Sequence, residues 1–177
     1  MKLTERKKNI QENADKFSNV RDKWIKKNKY FYKSDYAYMR FLINEGMRVL
    51  ELGCGSGQLL NALKPSYGVG VDLSSNMVDV AKSHHPHLNF FQGDLEDADL
   101  IASLEGPFDY IVLSDTLGFL DDCEGAFSGL HLLCTPDTRL VISYYSWFWQ
   151  PILTLGEKVG LKMPLVEMNW LSTEDTM

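Results

Sequence analysis

The 177-residue chain has no long uninterrupted run of apolar residues, and its first residues are charged. A membrane-spanning helix needs about 20 apolar residues and a secretory leader needs an apolar segment near the N-terminus, so neither kind of segment is indicated. Cysteine is also scarce. Cys54, Cys123 and Cys134 are odd in number and lack metal-ligand spacing, which argues against a disulfide framework or a zinc site. We expect free thiols, a cytoplasmic location, and no membrane or metal partner.

Charge is distributed unevenly along the chain. The net charge is −6, but residues 1–33 carry +7 and the remainder carries −13. A basic arm of this kind can recruit nucleic acid or another anionic surface. The alternative is a helix that docks on the acidic body, and Phe17, Val20, Trp24 and Ile25 do recur at helical spacing. We favour the docked helix because the charges are spread around it rather than clustered.

The most informative segment joins an apolar strand to a helix through a loop with glycine at alternate positions. Residues 49–60 read VLELGCGSGQLL, with Gly53, Gly55 and Gly57 in the loop. Glycine permits positive φ and lets a ligand approach where a side chain would collide. A second apolar strand ends at Asp72, nineteen residues after Gly53, where an acid can hold ribose hydroxyls. Both features predict one nucleotide-cofactor site.

The spacing distinguishes among nucleotides. A dinucleotide fingerprint needs a glycine at position 58, where this chain has Gln58, while Glu51 precedes the glycines. Acid-x-Gly-x-Gly-x-Gly resembles the first motif of the class I S-adenosylmethionine-dependent methyltransferases. Asp94 after the third candidate strand and the segment 108–115 around the fourth resemble that family's next motifs, in the same order. The resemblance covers residues 30–145 approximately.

The resemblance implies a set of cofactor-binding residues. Asp72 would hold the ribose diol, Asp94 would accept from the adenine amino group, and Glu51 would order the loop and reach the methionine ammonium. Asp72 as a helix N-cap, Asp94 as a surface-turn residue and Glu51 as a cap for loop N–H groups are the alternatives. The predicted cofactor-binding residues are Glu51, Gly53, Gly55, Gly57, Asp72, Leu73, Met77, Asp94, Leu95 and Ser114.

Catalytic residues are harder to predict from the sequence. Methyl transfer from a sulfonium is an in-line displacement that depends mainly on positioning, and a base is needed only if the acceptor must lose a proton. Asp115, near the fourth strand tip, is one candidate. Tyr32 and Tyr36, one helical turn apart, are candidates from a helical lid or arm over residues 1–45, because the family commonly folds this segment over the cofactor.

The alternation of strands and helices predicts an α/β fold. Strands near 48–52, 68–72, 89–92, 108–114 and 139–145 would form a Rossmann-like, doubly wound, mostly parallel sheet in the order 3-2-1-4-5. The intervening helices are predicted near 57–64, 76–84, 97–104, 122–134 and 148–160. Residues 46–177 form the core domain, which we expect to lack the family's C-terminal antiparallel strands.

The C-terminal residues suggest a truncated domain. Residues 172–175 have the form of a helix N-cap just before the chain stops, with a meaningless tail as the alternative. Truncation would leave the fifth strand with an open edge through which a homodimer can form.

The predicted function is methyl transfer to a small-molecule acceptor, with S-adenosylmethionine as cofactor and no nucleic-acid partner. The aromatic segment 144–149 suggests an apolar or planar acceptor, with a tryptophan pair that covers core left exposed by the short C-terminus as the alternative. The nearest resemblance is to the ubiquinone and menaquinone methyltransferases. A non-catalytic cofactor-binding module is the alternative, and an NAD-linked oxidoreductase is disfavoured by Gln58. We expect a solvated turn at residues 84–87, which contain three histidines, and a space-filling role for Cys54.

Overall fold

A computed structural model describes residues 3–164 and residue 169, and its centre is one parallel sheet of five strands. All neighbouring strands run parallel, in the order β3-β2-β1-β4-β5, which confirms the predicted topology. The strands are β1 (Arg48–Leu52), β2 (Tyr67–Asp72), β3 (Asn89–Gln92), β4 (Tyr110–Ser114) and β5 (Arg139–Ser143). Winding reverses between β3 and β4, so a crevice forms where ligands bind in such sheets, beyond the strand C-termini.

Seven α-helices accompany the strands in the described part of the chain. They are α1 (Glu5–Lys27), α2 (Lys29–Leu42), α3 (Gln58–Leu63), α4 (Ser75–His84), α5 (Ala98–Ser103), α6 (Cys123–Leu130) and α7 (Gln150–Lys158). Two predicted helices are shorter than expected. The segment 122–134 ends as a tight turn over His131–Leu133, and a similar turn at Trp147–Trp149 precedes α7, whose start is set by a proline in its first turn.

The sheet buries apolar side chains on both faces, which explains why its strands do not alternate in polarity. In β4, Val112 faces the layer of α2, α3 and α4, while Ile111 and Leu113 face α5 and α6. The layer on the side of α5 and α6 also contains Leu50, Val69, Val71 and Phe108. Each fully buried aliphatic or Phe side chain stabilises the fold by about 1.5 to 3 kcal/mol. The resulting rigid sheet fixes the loops at its C-terminal edge.

Helix α1 crosses the loops that follow β1, β2, β3 and β4, and its contacts there are mainly polar. Arg6 donates to the carbonyls of Gly118 and Phe119 and pairs with Asp121 at 2.6 Å. Gln11 donates to the Leu73 carbonyl at 3.0 Å. Further along α1, Asp15 contacts the N-terminus of α4, and Asp22 contacts α3 and the end of α4. The basic helix thus docks on the acidic body.

The far edge of the sheet is open in the described residues, where β5 pairs with β4 alone. Leu140 is 46% exposed and Ile142 is 36% exposed on this strand. The helix start predicted at residues 172–175 lies outside the described residues. None of the helices described within residues 3–164 is long and apolar enough to cross a bilayer.

Candidate active site

A cavity of about 720 Å³ lies between the C-terminal edge of the sheet and the helices that cover it. Its lining includes the glycine loop after β1 and the loops after β2, β3 and β4. Helix α1, the start of α2 and the segment from residue 145 to residue 163 supply the rest. Ten of the thirteen residues proposed from the sequence line it: Gly53, Gly55, Asp72, Leu73, Met77, Asp94, Leu95, Ser114, Asp115 and Tyr32.

The glycine loop exposes backbone to the cavity at two residues, both of which adopt positive φ. Gly53 has φ +80° and Gly55 has φ +51°. The Gly53 and Cys54 amides both donate to the Val71 carbonyl, at 2.8 and 3.0 Å, which fixes the loop to β2. A Cβ at Gly53 would lie 2.2 Å from the Thr116 Oγ1, so the Thr116 side chain covers this glycine. No larger residue fits at Gly53 without displacing Thr116.

Gly57 has a structural position outside the cavity lining. It precedes α3 with φ +74°, and a Cβ there would meet the Phe90 ring at 2.6 Å. Gly57 therefore lies on the side of the loop that packs against Phe90, and it affects the loop conformation without lining the cavity.

Asp72 ties the glycine loop to the start of α4. Its Oδ2 accepts from the Gly55 amide at 2.7 Å and its Oδ1 accepts from the Ser74 amide at 2.9 Å. Burial raises the pKa of Asp72, while these two N–H donors act in the opposite direction. The N-cap of α4 is Ser74, whose Oγ accepts from the Met77 amide at 3.0 Å. Asp72 is thus not the cap, and its carboxylate faces the cavity.

Asp94 contacts a residue that the sequence did not suggest. The Lys7 ammonium of α1, only 4% exposed, lies 2.5 Å from the Asp94 Oδ2 and also pairs with Glu96. Asp94 Oδ1 accepts from the Glu96 amide at 3.0 Å. The only sequence signal for this contact is the opposite charge of the arm and the body.

Glu51 lies behind the glycine loop and is 3% exposed. Its Oε2 accepts from the Leu60 amide in α3 at 3.0 Å. Burial, with a smaller contribution from the nearby Asp72 charge, raises the pKa of Glu51 to about 8. This position matches the capping alternative given for Glu51.

The two tyrosines proposed for the lid have different surroundings. Tyr32 lines the cavity, whereas Tyr36 packs against the core layer formed with Met39 and Ile43. Their ring centroids are 6.0 Å apart. Burial and the Glu51 charge raise the pKa of Tyr36 above its usual range. Only Tyr32 therefore presents its ring to the cavity.

Asp115 occupies the tip of β4 in a left-handed conformation, with φ +54°. Its amide donates to the Ser143 carbonyl at 2.9 Å, and the Tyr145 hydroxyl donates to its carboxylate. Solvent reaches the side chain through the cavity. Desolvation by the surrounding protein raises the pKa of Asp115 to about 6, with a contribution from Asp35.

Arg21 is a second residue of α1 that sequence reasoning missed. Its Nε lies 3.2 Å from the position that a Cβ on Gly55 would take. The guanidinium charge lowers the pKa values of Glu51, Asp72 and Asp115, so it lies within electrostatic range of all three carboxyl groups. A cation on the glycine loop is suited to bind a ligand carboxylate.

Aromatic side chains form the other side of the cavity. The lining contains Trp24, Phe31, Tyr32, Tyr145 and Trp149. From the aromatic segment noted in the sequence, Tyr145 and Trp149 reach the cavity, while Trp147 and Phe148 stack on each other with centroids 4.3 Å apart and are exposed.

The histidine-rich turn differs from expectation. His85 is only 7% exposed, its ring lies against Gly57, and its Nε2 has no hydrogen-bond partner among the described residues. The prediction of a solvated turn is therefore wrong for His85, which the glycine loop covers. His84 lies 3.3 Å from Asp22 of α1. Cys54 is buried, and burial raises its thiol pKa, as suits a space-filling residue.

Comparison with known proteins gives consistent matches. A family model for a methyltransferase domain matches residues 24–174. A juvenile hormone acid O-methyltransferase of Bombyx mori is 38% identical over 93 residues, which are 48% of this chain and 33% of that protein. A ubiquinone biosynthesis O-methyltransferase of Coxiella burnetii is 30% identical over 103 residues, 56% of this chain and 44% of that protein. The chain thus spans less than half the length of these relatives.

A solved structure shares the fold. A SAM-dependent methyltransferase from Thermotoga maritima superimposes with a TM-score of 0.74 at 22% identity, covering 95% of this chain and 77% of that one. The chain therefore belongs to the methyltransferase domain family and has the class I fold of enzymes that use S-adenosylmethionine as cofactor.

Proposed function

We propose that this domain binds S-adenosylmethionine in the cavity and transfers its methyl group to a small-molecule acceptor. The observation that carries the proposal is one cavity with two unlike sides. Open glycine backbone, Asp72 and Asp94 form one side, and aromatic rings form the other. The matches to O-methyltransferases named for juvenile hormone acid and for ubiquinone biosynthesis support a small-molecule acceptor.

The residues present fit the cofactor. Gly53 and Gly55 line the cavity, so the methionine and ribose portions can lie against their backbone. Each Asp72 oxygen accepts one backbone N–H and keeps a second lone-pair direction, so the pair can also accept from two ribose hydroxyls. Leu73 and Met77 offer apolar contact to adenine, the Leu95 amide is available to the ring, and Ser114 lies at the β4 tip.

The charged groups around the loop suit the two ends of the cofactor's amino acid portion. Arg21 would bind the methionine carboxylate, since its guanidinium lies against Gly55. Glu51 would order the loop through its bond to the Leu60 amide, and an ammonium bound nearby would favour the ionised form of this carboxyl group. Gly57 would contribute through the shape of the loop.

The adenine end involves α1. Asp94 would accept from the adenine amino group while the Lys7 ammonium shifts toward Glu96, because Lys7 already contacts both carboxylates. Residues 1–45 would then act as a lid, with α1 supplying the cover and α2 the Tyr32 ring.

The chemistry depends mainly on position. In-line transfer requires the acceptor lone pair to lie about 3 Å from the methyl carbon, and holding both partners in that geometry supplies most of the rate enhancement. A volume of about 720 Å³ is within the range of about 300 to 1,000 Å³ for small-molecule sites. Because α1 covers the cavity, a nucleic-acid substrate is disfavoured.

The exposed strand β5 is the basis for a proposed homodimer. An unpaired edge with Leu140 and Ile142 accessible can pair with a second copy. Measurement of the mass in solution tests this, and a strictly monomeric species at high concentration would contradict it.

Calorimetry and transfer assays together test the proposed function. We expect S-adenosylhomocysteine to bind and NAD not to bind. Transfer of labelled methyl from S-adenosylmethionine to compounds in a deproteinised metabolite extract identifies an enzyme. Binding without any transfer would instead indicate a non-catalytic module.

A further inference from the structure

We propose that Asp115, oriented by Tyr145, takes a proton from the methyl acceptor, and that the acceptor is therefore a hydroxyl or an ammonium group rather than a carboxylate. This inference rests on the proposed methyl transfer. It assigns Asp115 a catalytic role and Tyr145 a positioning role.

The backbone of Asp115 is held in an uncommon conformation that fixes the carboxylate. A left-handed residue other than glycine costs about 1 to 2 kcal/mol. Here the Asp115 amide donates to Ser143, and the next side chain, Thr116, donates from its Oγ1 to the Leu52 carbonyl at 3.0 Å. The Asp115 amide and the neighbouring Thr116 are thus both anchored, and the Asp115 side chain lines the cavity.

Asp115 lies where the glycine-loop side of the cavity meets the aromatic side. Thr116 covers Gly53 on the cofactor side, and Tyr145, which donates to Asp115, belongs to the aromatic side. A group bound against the aromatic rings would therefore have Asp115 beside its reacting end.

The charges around Asp115 favour a basic but ionised carboxylate at neutral pH. Burial and Asp35 raise its pKa, while Arg21, Lys162 and the Tyr145 hydroxyl lower it, and the balance is about 6. Lys162 is itself paired with Glu157 at 2.5 Å. A carboxylate acceptor would place a second anion beside Asp115 and would have no proton to give.

The proton transfer balances as follows. The acceptor oxygen or nitrogen forms a bond to the methyl carbon with its lone pair, and the carbon–sulfur bond breaks with its electron pair left on sulfur. The proton of a hydroxyl acceptor passes to an Asp115 carboxylate oxygen as the new bond forms, whereas an ammonium acceptor gives its proton to Asp115 first, because its nitrogen has no lone pair until then. The products are a methyl ether or methylamine, the neutral thioether and a protonated Asp115, which then loses its proton to solvent.

The test uses the full chain, S-adenosylmethionine labelled in its methyl group, and a deproteinised metabolite extract. Labelled products are treated with alkali, because methyl esters release volatile methanol whereas ethers and methylamines do not. We expect base-stable products only. The rate should rise with pH to a plateau, with its midpoint near pH 6.

Variants separate catalysis from structure. Asp115→Asn should lower the rate about 10²-fold or more and abolish the pH dependence, while the Kd for S-adenosylhomocysteine stays within about twofold. Tyr145→Phe removes a hydrogen bond to the ionised carboxylate, so the pH midpoint should move upward. Asp137→Asn, in an exposed turn, is the matched control and should leave rate and midpoint unchanged.

Three results would overturn the proposal. Volatile label from alkali-treated products would show a carboxylate acceptor. An unchanged rate in Asp115→Asn would show that Asp115 takes no proton. Failure of the unmodified chain to transfer label while S-adenosylhomocysteine binds would instead reject the proposed function and this inference with it.

Discussion

Replacing Asp72 with asparagine is expected to weaken binding of S-adenosylhomocysteine about 10- to 150-fold. Each Asp72 oxygen already accepts a backbone N–H, at 2.7 Å from Gly55 and at 2.9 Å from Ser74. Asparagine keeps one carbonyl oxygen and turns its amide N–H₂ toward the other donor. One charge-assisted hydrogen bond to a ribose hydroxyl, of about 1.5 to 3 kcal/mol, is therefore lost.

The same substitution should lower the free energy of unfolding by about 1 to 3 kcal/mol, because one buried amide loses its acceptor. Asp109→Asn is the matched control, since Asp109 Oδ2 accepts from the Arg48 amide at 2.7 Å at the opposite end of β1. That variant should lose stability and keep its affinity. Calorimetric titration and urea unfolding give both quantities, and an affinity for Asp72→Asn within threefold of the original protein would refute the assignment of Asp72 to ribose.

Three further predictions concern α1, the glycine loop and Glu51. Lys7→Met leaves Asp94 and Glu96 buried without a cation, so hydrogen exchange in the first turns of α1 should accelerate at least tenfold. Unchanged exchange would show that the Lys7 ion pairs do not hold α1 on the body. Gly53→Ala forces a Cβ against Thr116 in a left-handed residue, and urea unfolding should show a loss of about 2 kcal/mol or more, against little change for Gly129→Ala, where a Cβ meets nothing. Burial raises the pKa of Glu51 from 4.5 to about 8. The free energy of unfolding should therefore fall as the pH rises from about 4.5 through 8. Glu51→Gln should remove that loss and be the more stable protein at pH 8.5 by about 1 to 3 kcal/mol; equal pH dependence in both proteins would refute this.

Local patterns account for the part of the fold that the sequence predicts well. Strand order follows from the apolar runs and the glycine loop, because parallel crossovers permit few alternatives. The same rule brings Gly53, Asp72 and Asp94 to one edge, since each lies at the C-terminal end of a strand or within two residues after it. Element ends were less accurate. The fifth strand stops at Ser143 and the predicted helix after Asp122 tightens after Leu130, where hydrogen bonding rather than composition decides.

The cover of the cavity could not be predicted in the same way. Lys7 meets Asp94 across 87 residues of sequence, and the apolar residues Phe17, Val20 and Trp24 lie in the second half of α1, away from Lys7. The register of α1 depends on individual polar pairs, which leave no periodic trace. For the same reason Arg21 was missed, and the lid was assigned to Tyr32 and Tyr36, although Tyr36 faces the core.

The polar character of the seam between α1 and the body has a consequence for ligand exchange. Among the residues of α1, only Lys7 and Ser18 are buried, and the apolar Ile10, Phe17 and Trp24 are half-buried, so lifting this helix exposes no fully buried apolar side chain of its own. Water can replace each neutral hydrogen bond at a net cost of about 0.5 to 1.5 kcal/mol. Asn28, between α1 and α2, is the natural pivot. The chain can thus admit and release a nucleoside while its sheet stays intact.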